Sequence, residues 1–316
     1  MTLPSYDELP DGRAWSLWPD EFGSLNLLTP ERVLAGKACV ERGAVFALNW
    51  DMELPDPPLF GRSAFVHKVN DLDHDAGHDD DVSGWNTQSS SQWDGFRHIK
   101  HAVHGFYGGV ADEDHGIHHW ARRGIVGRAV LVDVGRWRES VGRPLQYDQP
   151  DPVEPSDIGD TLAAQGSDFE PGDILLLRTG WISWYRGLDA AGRSALAANL
   201  MAPGLRPGTA TARVLWDLHP AALAVDNPAV ETWPPGALAD PELFGKLATD
   251  YEEVAPEIFL HFALLPLLGL PLGEMWDLDA LAEDCAADGR YHCLLTSAPL
   301  NLKAGVASPP NALAIK

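Results

Sequence analysis

A mixed α/β fold, with its sheet covered by helices, is what this 316-residue sequence predicts, and two observations carry it. Short apolar runs rich in Val, Leu and Ile, each closed by turn residues, recur along the chain. Between several of them lie amphipathic patterns with helical start and stop signals. The buried-strand candidates are "GIVGRAVLVDV" (124–134), "DILLLRTG" (173–180), "AALAVDN" (221–227) and "HCLLTSAPL" (292–300), preceded by "AVFALNW" (44–50).

The helices follow from their punctuation. Thr29 and Pro30 open "ERVLAGKACVER" as N-cap and first-turn proline. "SDIGDTLAAQ" stops at Gly166, and "GTATARVLWDL" follows Pro207. "PEIFLHFALLPLLG" reads as a helix from Pro256 to Gly269. The acidic stretch "DLDHDAGHDDD" (71–81) has almost no large apolar group and reads as a solvated surface loop, able to act as a lid. Its His74 and His78 stand four apart, a metal spacing only if the segment were helical, which Gly77 and the aspartates oppose. The C-terminal "SAPLNLKAGVASPPNALAI" reads as strand, turn and apolar tail packed into the core. With no internal repeat and no long linker, one domain over residues 1–316 is the simplest organisation.

Composition narrows the function. Forty-six acidic against 23 basic residues give a net charge of −23, which repels nucleic acid and anionic membrane surfaces. Three cysteines without CxxC spacing argue against a disulfide framework or a cysteine zinc knuckle. No apolar run approaches the roughly 20 residues that span a bilayer. The expectation is a soluble, cytoplasmic protein with a small-molecule substrate, no nucleic acid and no membrane partner. GxGxxG, Walker A, GxSxG and HExxH patterns are all missing, so dinucleotide, ATP and serine-hydrolase chemistry lose support.

What remains is histidine. Twelve are present, and His98, His101, His104, His115, His118 and His119 crowd one segment. The last five are read as structural or exposed, because small and apolar residues or a short helix surround them. "SQWDGFRH" (91–98) is different, since it sets Asp94 four residues before His98. In the helical pattern "HFALLPLLGLPLGE", His261 and Glu274 are polar groups inside an almost wholly apolar stretch; buried, they need charge, hydrogen bonds or metal.

"FGSLNLLTPERV", "QSSSQWDGFRH", "GIVGRAVLVDV", "GDILLLRTGW", the His261–Glu274 segment and "APLNLKAGVASPPNALAI" resemble, in that order, the landmarks of the cyclase superfamily, which includes bacterial kynurenine formamidase and isatin hydrolase. The resemblance implies a swivelling β/β/α fold, usually dimeric, and hydrolysis of amide bonds in aryl formamides or strained lactams. The family signature, His-x-Gly-Thr-His-x-Asp-x-Pro-x-His, places its metal-binding aspartate on Asp94 and its acid/base histidine on His98. The later metal pair falls on His261 and Glu274. The first two histidines fall on Gln88 and Gln92, Thr becomes Ser91 and Pro becomes Phe96. An amide oxygen is a neutral, weaker donor than imidazole for zinc. The implied metal set is therefore Asp94, Gln92, Gln88, His261 and Glu274, holding manganese or zinc, less readily magnesium, or else a site that works without metal. Asp94 and His98 are the catalytic candidates. Trp93, Phe96, Phe106 and Tyr107 are candidates for an apolar substrate wall, and Arg97 for a carboxylate contact. The leading expectation is a metal-dependent hydrolase of an amide or lactam C–N bond. A metal-independent lyase or natural-product cyclase is the alternative, and a binding protein that has lost the chemistry the third.

Overall fold

The computed structural model describes residues 3–73, 76–239 and 241–316. Thirteen strands are present among them. In chain order they are β1 (Val45–Ala47), β2 (Val66–Asp71), β3 (His78–Ser83), β4 (Gln92–Asp94), β5 (Ile125–Asp133), β6 (Pro152–Val153) and β7 (Ile174–Arg178). Then come β8 (Gly204–Leu205), β9 (Ala222–Val225), β10 (Leu272–Glu274), β11 (His292–Ser297), β12 (Ala307–Ser308) and β13 (Ala312–Ile315). Nine form one mixed sheet in the order β1-β13-β11-β5-β7-β9-β10-β4-β12. The centre, β5-β7-β9-β10, is parallel, and antiparallel strands flank it on both sides.

The parallel centre follows from its sequence. Ile174–Leu177 and Ala222–Val225 are buried throughout, as strands covered on both faces must be. Helix Pro155–Gln165 lies in the crossover from β5 to β7 and Thr209–Asp217 in that from β7 to β9, the first ending at Gly166 in the left-handed conformation that favours glycine. The helix after Thr29 forms over Pro30–Ala38 as its punctuation predicts, packing Gly36 so closely on β5 that a Cβ would meet the Gly127 carbonyl at 2.8 Å. The C-terminal tail enters the sheet as β12 and β13, and the terminal Lys316 is buried between Asp284 and Asp288.

Two elements differ from their sequence patterns. Residues 71–81 are not wholly loop: β2 and β3 pair as an antiparallel hairpin whose side chains are almost all exposed. The valines Val66, Val69 and Val82 do not alternate with a period of two, and the run of aspartates hides the strand further. His78 pairs with Asp71 across the hairpin at 3.0 Å; His74 lies outside the described residues. The apolar run 256–269 is not one helix either. A helix over Tyr251–Ile258 stops at Phe259, whose backbone is extended, and a short one restarts over His261–Leu264. Glu274 stands beyond it, at the end of strand β10.

Candidate active site

β4 shows why residues 91–96 are buried rather than a surface turn. It is the penultimate strand of the sheet, pairing antiparallel with β10 on one side and β12 on the other. Side chains alternate across a strand, so Gln92 and Asp94 face one way and Trp93 the other. Register sets Gln92 directly opposite Glu274. Gln92, Asp94 and Glu274 therefore share one face of the sheet, where all three are buried. Ser91 locks the corner, donating to the Met275 carbonyl at 2.5 Å and accepting from the Trp50 amide at 2.7 Å. Met275 itself holds φ 53°, a left-handed backbone costly for a side-chain-bearing residue, immediately after Glu274.

The remaining groups come from loops and the short helix. The turn after β4, closed by the His98 amide on the Gly95 carbonyl at 2.9 Å, carries His98 back over Asp94. His261, at the start of its helix, points between the two carboxylates: its Nε2 lies 3.2 Å from Glu274 and 3.9 Å from Asp94. Asp94, His98 and His261 each offer a ligand atom within 4.8 Å of the others. Asp94, His261 and Glu274 are sealed, whereas His98 is partly exposed and so faces any incoming molecule.

Two glutamines tie the acids together. Gln88 Nε2 donates to Asp94 at 2.6 Å and lies 3.2 Å from His98 Nδ1. Gln92 Nε2 donates to Glu274 at 2.6 Å and reaches Asp94 at 3.4 Å. On its far side His261 Nδ1 donates to Glu231 at 2.9 Å, and Glu231 also accepts from the His261 backbone amide. Glu231 is fully buried and was not singled out from sequence; an acid in the apolar "NPAVETW" after a buried strand was the available signal.

Electrostatics separate the acids. Burial alone would raise Asp94, but the charges of His98 and His261 and the His261 hydrogen bond hold it down at about 2. Burial and the neighbouring Asp94 charge push Glu274 up to about 7. Burial opposes charging His261, yet Glu231, Asp94 and Glu274 together raise it well above an ordinary histidine. Burial lowers His98 despite Asp94, keeping its ring a neutral base near pH 7.

The structure thus brings together Asp94, His98, His261, Glu274, Gln88 and Gln92, and leaves the expected substrate wall elsewhere. Trp93 sits on the opposite face of β4, packing on Trp276 with centroids 4.7 Å apart and donating its indole N–H to Ser297. Phe96 and Tyr107 pack on each other in the main core, with the Tyr107 hydroxyl donating to the Trp18 carbonyl. Phe106 makes its ring contact with His115, and Arg97 is engaged by Asp112 and the Ala304 carbonyl. These side chains are spent on packing and pairing, which the sequence does not distinguish from recognition. Phe259, partly exposed, stacks on His261 with ring centroids 4.6 Å apart, and Phe60 packs against Trp233.

The donor set suits a divalent ion. It offers two carboxylates and the His261 imidazole, and Glu231 commits His261 Nδ1 so that Nε2 faces the cluster, as metal-binding histidines are commonly oriented. Gln92 Oε1 is buried with no hydrogen-bond partner among the described residues, while its Nε2 bridges the acids. Rotating that amide by half a turn would bring a neutral oxygen donor to the carboxylates, where a cation would satisfy it.

Comparison with known proteins decides the family. The cyclase family model matches residues 35–232, close to two thirds of the chain. The chain belongs to the cyclase family. A crystal structure described as a novel cyclase superposes over the whole of both chains with TM-score 0.81 and 28% identity. Isatin hydrolase A from Labrenzia aggregata, bound to benzyl benzoate, covers 90% of this chain and 97% of its own at TM-score 0.58 and 17% identity. The isatin hydrolase A of Ralstonia solanacearum gives 0.58 and 16%, over 91% and 98%. These two share the fold. No curated protein sequence matches the chain. Among the described residues no helix is long and apolar enough to cross a membrane.

Proposed function

We propose that the chain is a metal-dependent hydrolase that opens an amide or lactam C–N bond in a small aromatic or cyclic substrate. The observation that carries this reading is the convergence of Asp94, His98 and His261 within 4.8 Å, two of them sealed and His98 open to one side. Asp94 and His261, with Glu274 beside them and Gln92 as an amide donor, would hold a divalent ion. When bound, the ion supplies Lewis-acid charge that polarises a carbonyl and makes water more acidic.

The chain's own residues do the rest. Neutral His98 takes a proton from the attacking water and returns it to the leaving nitrogen, so one ring serves as base and then as acid. Gln88, 3.2 Å from His98 Nδ1, sets that ring's orientation. Glu231 engages His261 Nδ1 and so turns Nε2 toward Asp94 and Glu274. The proposed arrangement is one catalytic domain acting on a small molecule, working as a homodimer in the cytoplasm.

The test is hydrolysis of isatin and of an aryl formamide by protein supplied with Mn²⁺ or Zn²⁺. Turnover that disappears in His98→Ala while the fold is retained supports the reading; full activity in that variant removes His98 from the mechanism. One observation favours a second reading. Gln92 donates to Glu274 and Asp94 as they stand, so the acids are already satisfied without a cation, which suits a proton-transferring lyase or cyclase. Turnover that survives complete metal removal would select it.

A further inference from the structure

The sequence pattern points to Arg97 for recognising an anionic group, but Arg97 is occupied by Asp112. A different arginine stands at the site. Arg62 follows a tight turn in which Phe60 and Gly61 both adopt positive φ, 59° and 67°, and this turn folds the chain so that the guanidinium lies over the Phe60 ring, 4.7 Å from its centroid. Its Nη1 donates to the Gln88 carbonyl. Gln88 is the residue whose side-chain amide holds Asp94 and touches His98, so one residue links Arg62 to the reactive cluster. The charges of Glu274 and Asp94 are close enough to act on Arg62, and Arg62 in turn acts on His98.

Arg62 is largely desolvated yet has no carboxylate within 4 Å among the described residues, and Nη1 to the Gln88 carbonyl is its one hydrogen bond among them. A guanidinium carries five N–H donors in a planar fork. Withdrawing it from water while leaving most of that fork unspent is costly unless a ligand completes it. Other arginines differ: Arg178 is spent on Asp133 and Asp279, and Arg206 on Glu154. Stacking on Phe60 holds the fork in place before any ligand arrives, which lowers the ordering cost of binding. Phe60 in turn packs edge-on against Trp233, centroids 4.9 Å apart, and both rings are partly exposed. Trp233 lies two residues beyond Glu231, which grips His261.

We propose that Arg62 is the specificity-determining residue of this site, receiving a carboxylate of the substrate through its fork while Phe60 and Trp233 cover the adjoining ring. This deepens the hydrolase reading above and rests on it for the chemistry: the substrate class becomes an aromatic or cyclic amide that carries a carboxylate.

Binding tests it without requiring turnover, so its failure is separable from failure of the hydrolase reading. Isothermal titration of the full chain, as purified, would use benzoate and benzamide as probes, with Arg62→Gln and Arg62→Lys variants whose melting temperatures are checked first. The proposal expects benzoate to bind more tightly than benzamide and to lose roughly 10- to 100-fold in Arg62→Gln, the range for a lost charge-assisted hydrogen-bond pair. Arg62→Lys, which keeps the charge but not the fork, falls between. Benzamide affinity is the same in all three. Equal benzoate affinity in parent and Arg62→Gln overturns the proposal. So does displacement of benzoate by an equal concentration of inorganic phosphate, which would make Arg62 a general anion contact.

Discussion

Glu231→Gln isolates the support beneath the site. The substitution keeps shape and an acceptor oxygen but removes the charge that sits 2.9 Å from His261 Nδ1. Both groups are fully buried, so solvent does little to screen them. Coulomb's law at an effective dielectric near 20 puts the lost attraction at about 6 kcal/mol. Part is recovered because a neutral amide no longer has to be desolvated as an ion, leaving a net destabilisation of about 3 kcal/mol, at the lower end for a broken buried pair. In a chain of 316 residues that lowers the melting temperature by roughly 4–5 °C. His261 should also fall back toward an ordinary pKa, since Glu231 is the largest contribution raising it against burial. Differential scanning calorimetry of parent and variant at pH 7.5, after chelation, measures the first effect, and the C2 proton shift of His261 by NMR measures the second. A variant melting within about 1 °C of the parent, with His261 still charged at pH 8, would refute the assignment of Glu231 as its counter-charge.

Glu274 gives a pH dependence whose sign follows from its raised pKa. An acid with a pKa of about 7 in the fold and an ordinary 4.5 in the unfolded chain costs stability as pH climbs through that window, because the unfolded chain releases the proton more easily. Chelator-treated Glu274→Gln therefore gains melting temperature relative to the parent between pH 5 and pH 8, and a gap that narrows would contradict the shift. Trp93→Phe loses the hydrogen bond to Ser297 and part of the contact with Trp276, so it should cost about 1–3 kcal/mol in urea unfolding while leaving KM unchanged. Arg97→Ala removes a solvent-screened pair with Asp112 and a hydrogen bond to the Ala304 carbonyl and should lower the melting temperature only slightly, with turnover intact in the isatin assay.

The sheet was legible because its centre is written in unbroken apolar strands and its crossovers in capped helices, both local signals. The reactive cluster was legible in part. Asp94 and His98 stood out as polar groups in a short segment, and His261 and Glu274 as ionisable groups among leucines. Placing Glu274 on a helix with His261 failed because an all-apolar run does not record its own period; the extended backbone at Phe259 and the pairing of β10 with β4 are tertiary decisions. Trp93, Phe96 and Tyr107 illustrate the converse. Proximity in sequence to Asp94 suggested a substrate wall, but the two-residue alternation of β4 turned Trp93 to the far face, and the following turn sent Phe96 into the core. Glu231 and Arg62 were missed because each matters through a neighbour distant in sequence, His261 thirty residues on and Gln88 twenty-six.

Metal content of the protein and of Asp94→Ala, measured by inductively coupled plasma mass spectrometry after reconstitution with Mn²⁺ or Zn²⁺ and desalting, tests the central claim most directly. One to two equivalents in the parent and loss of bound metal in the folded variant are expected. Parent protein that retains no metal, or a variant that retains as much as the parent, would contradict it.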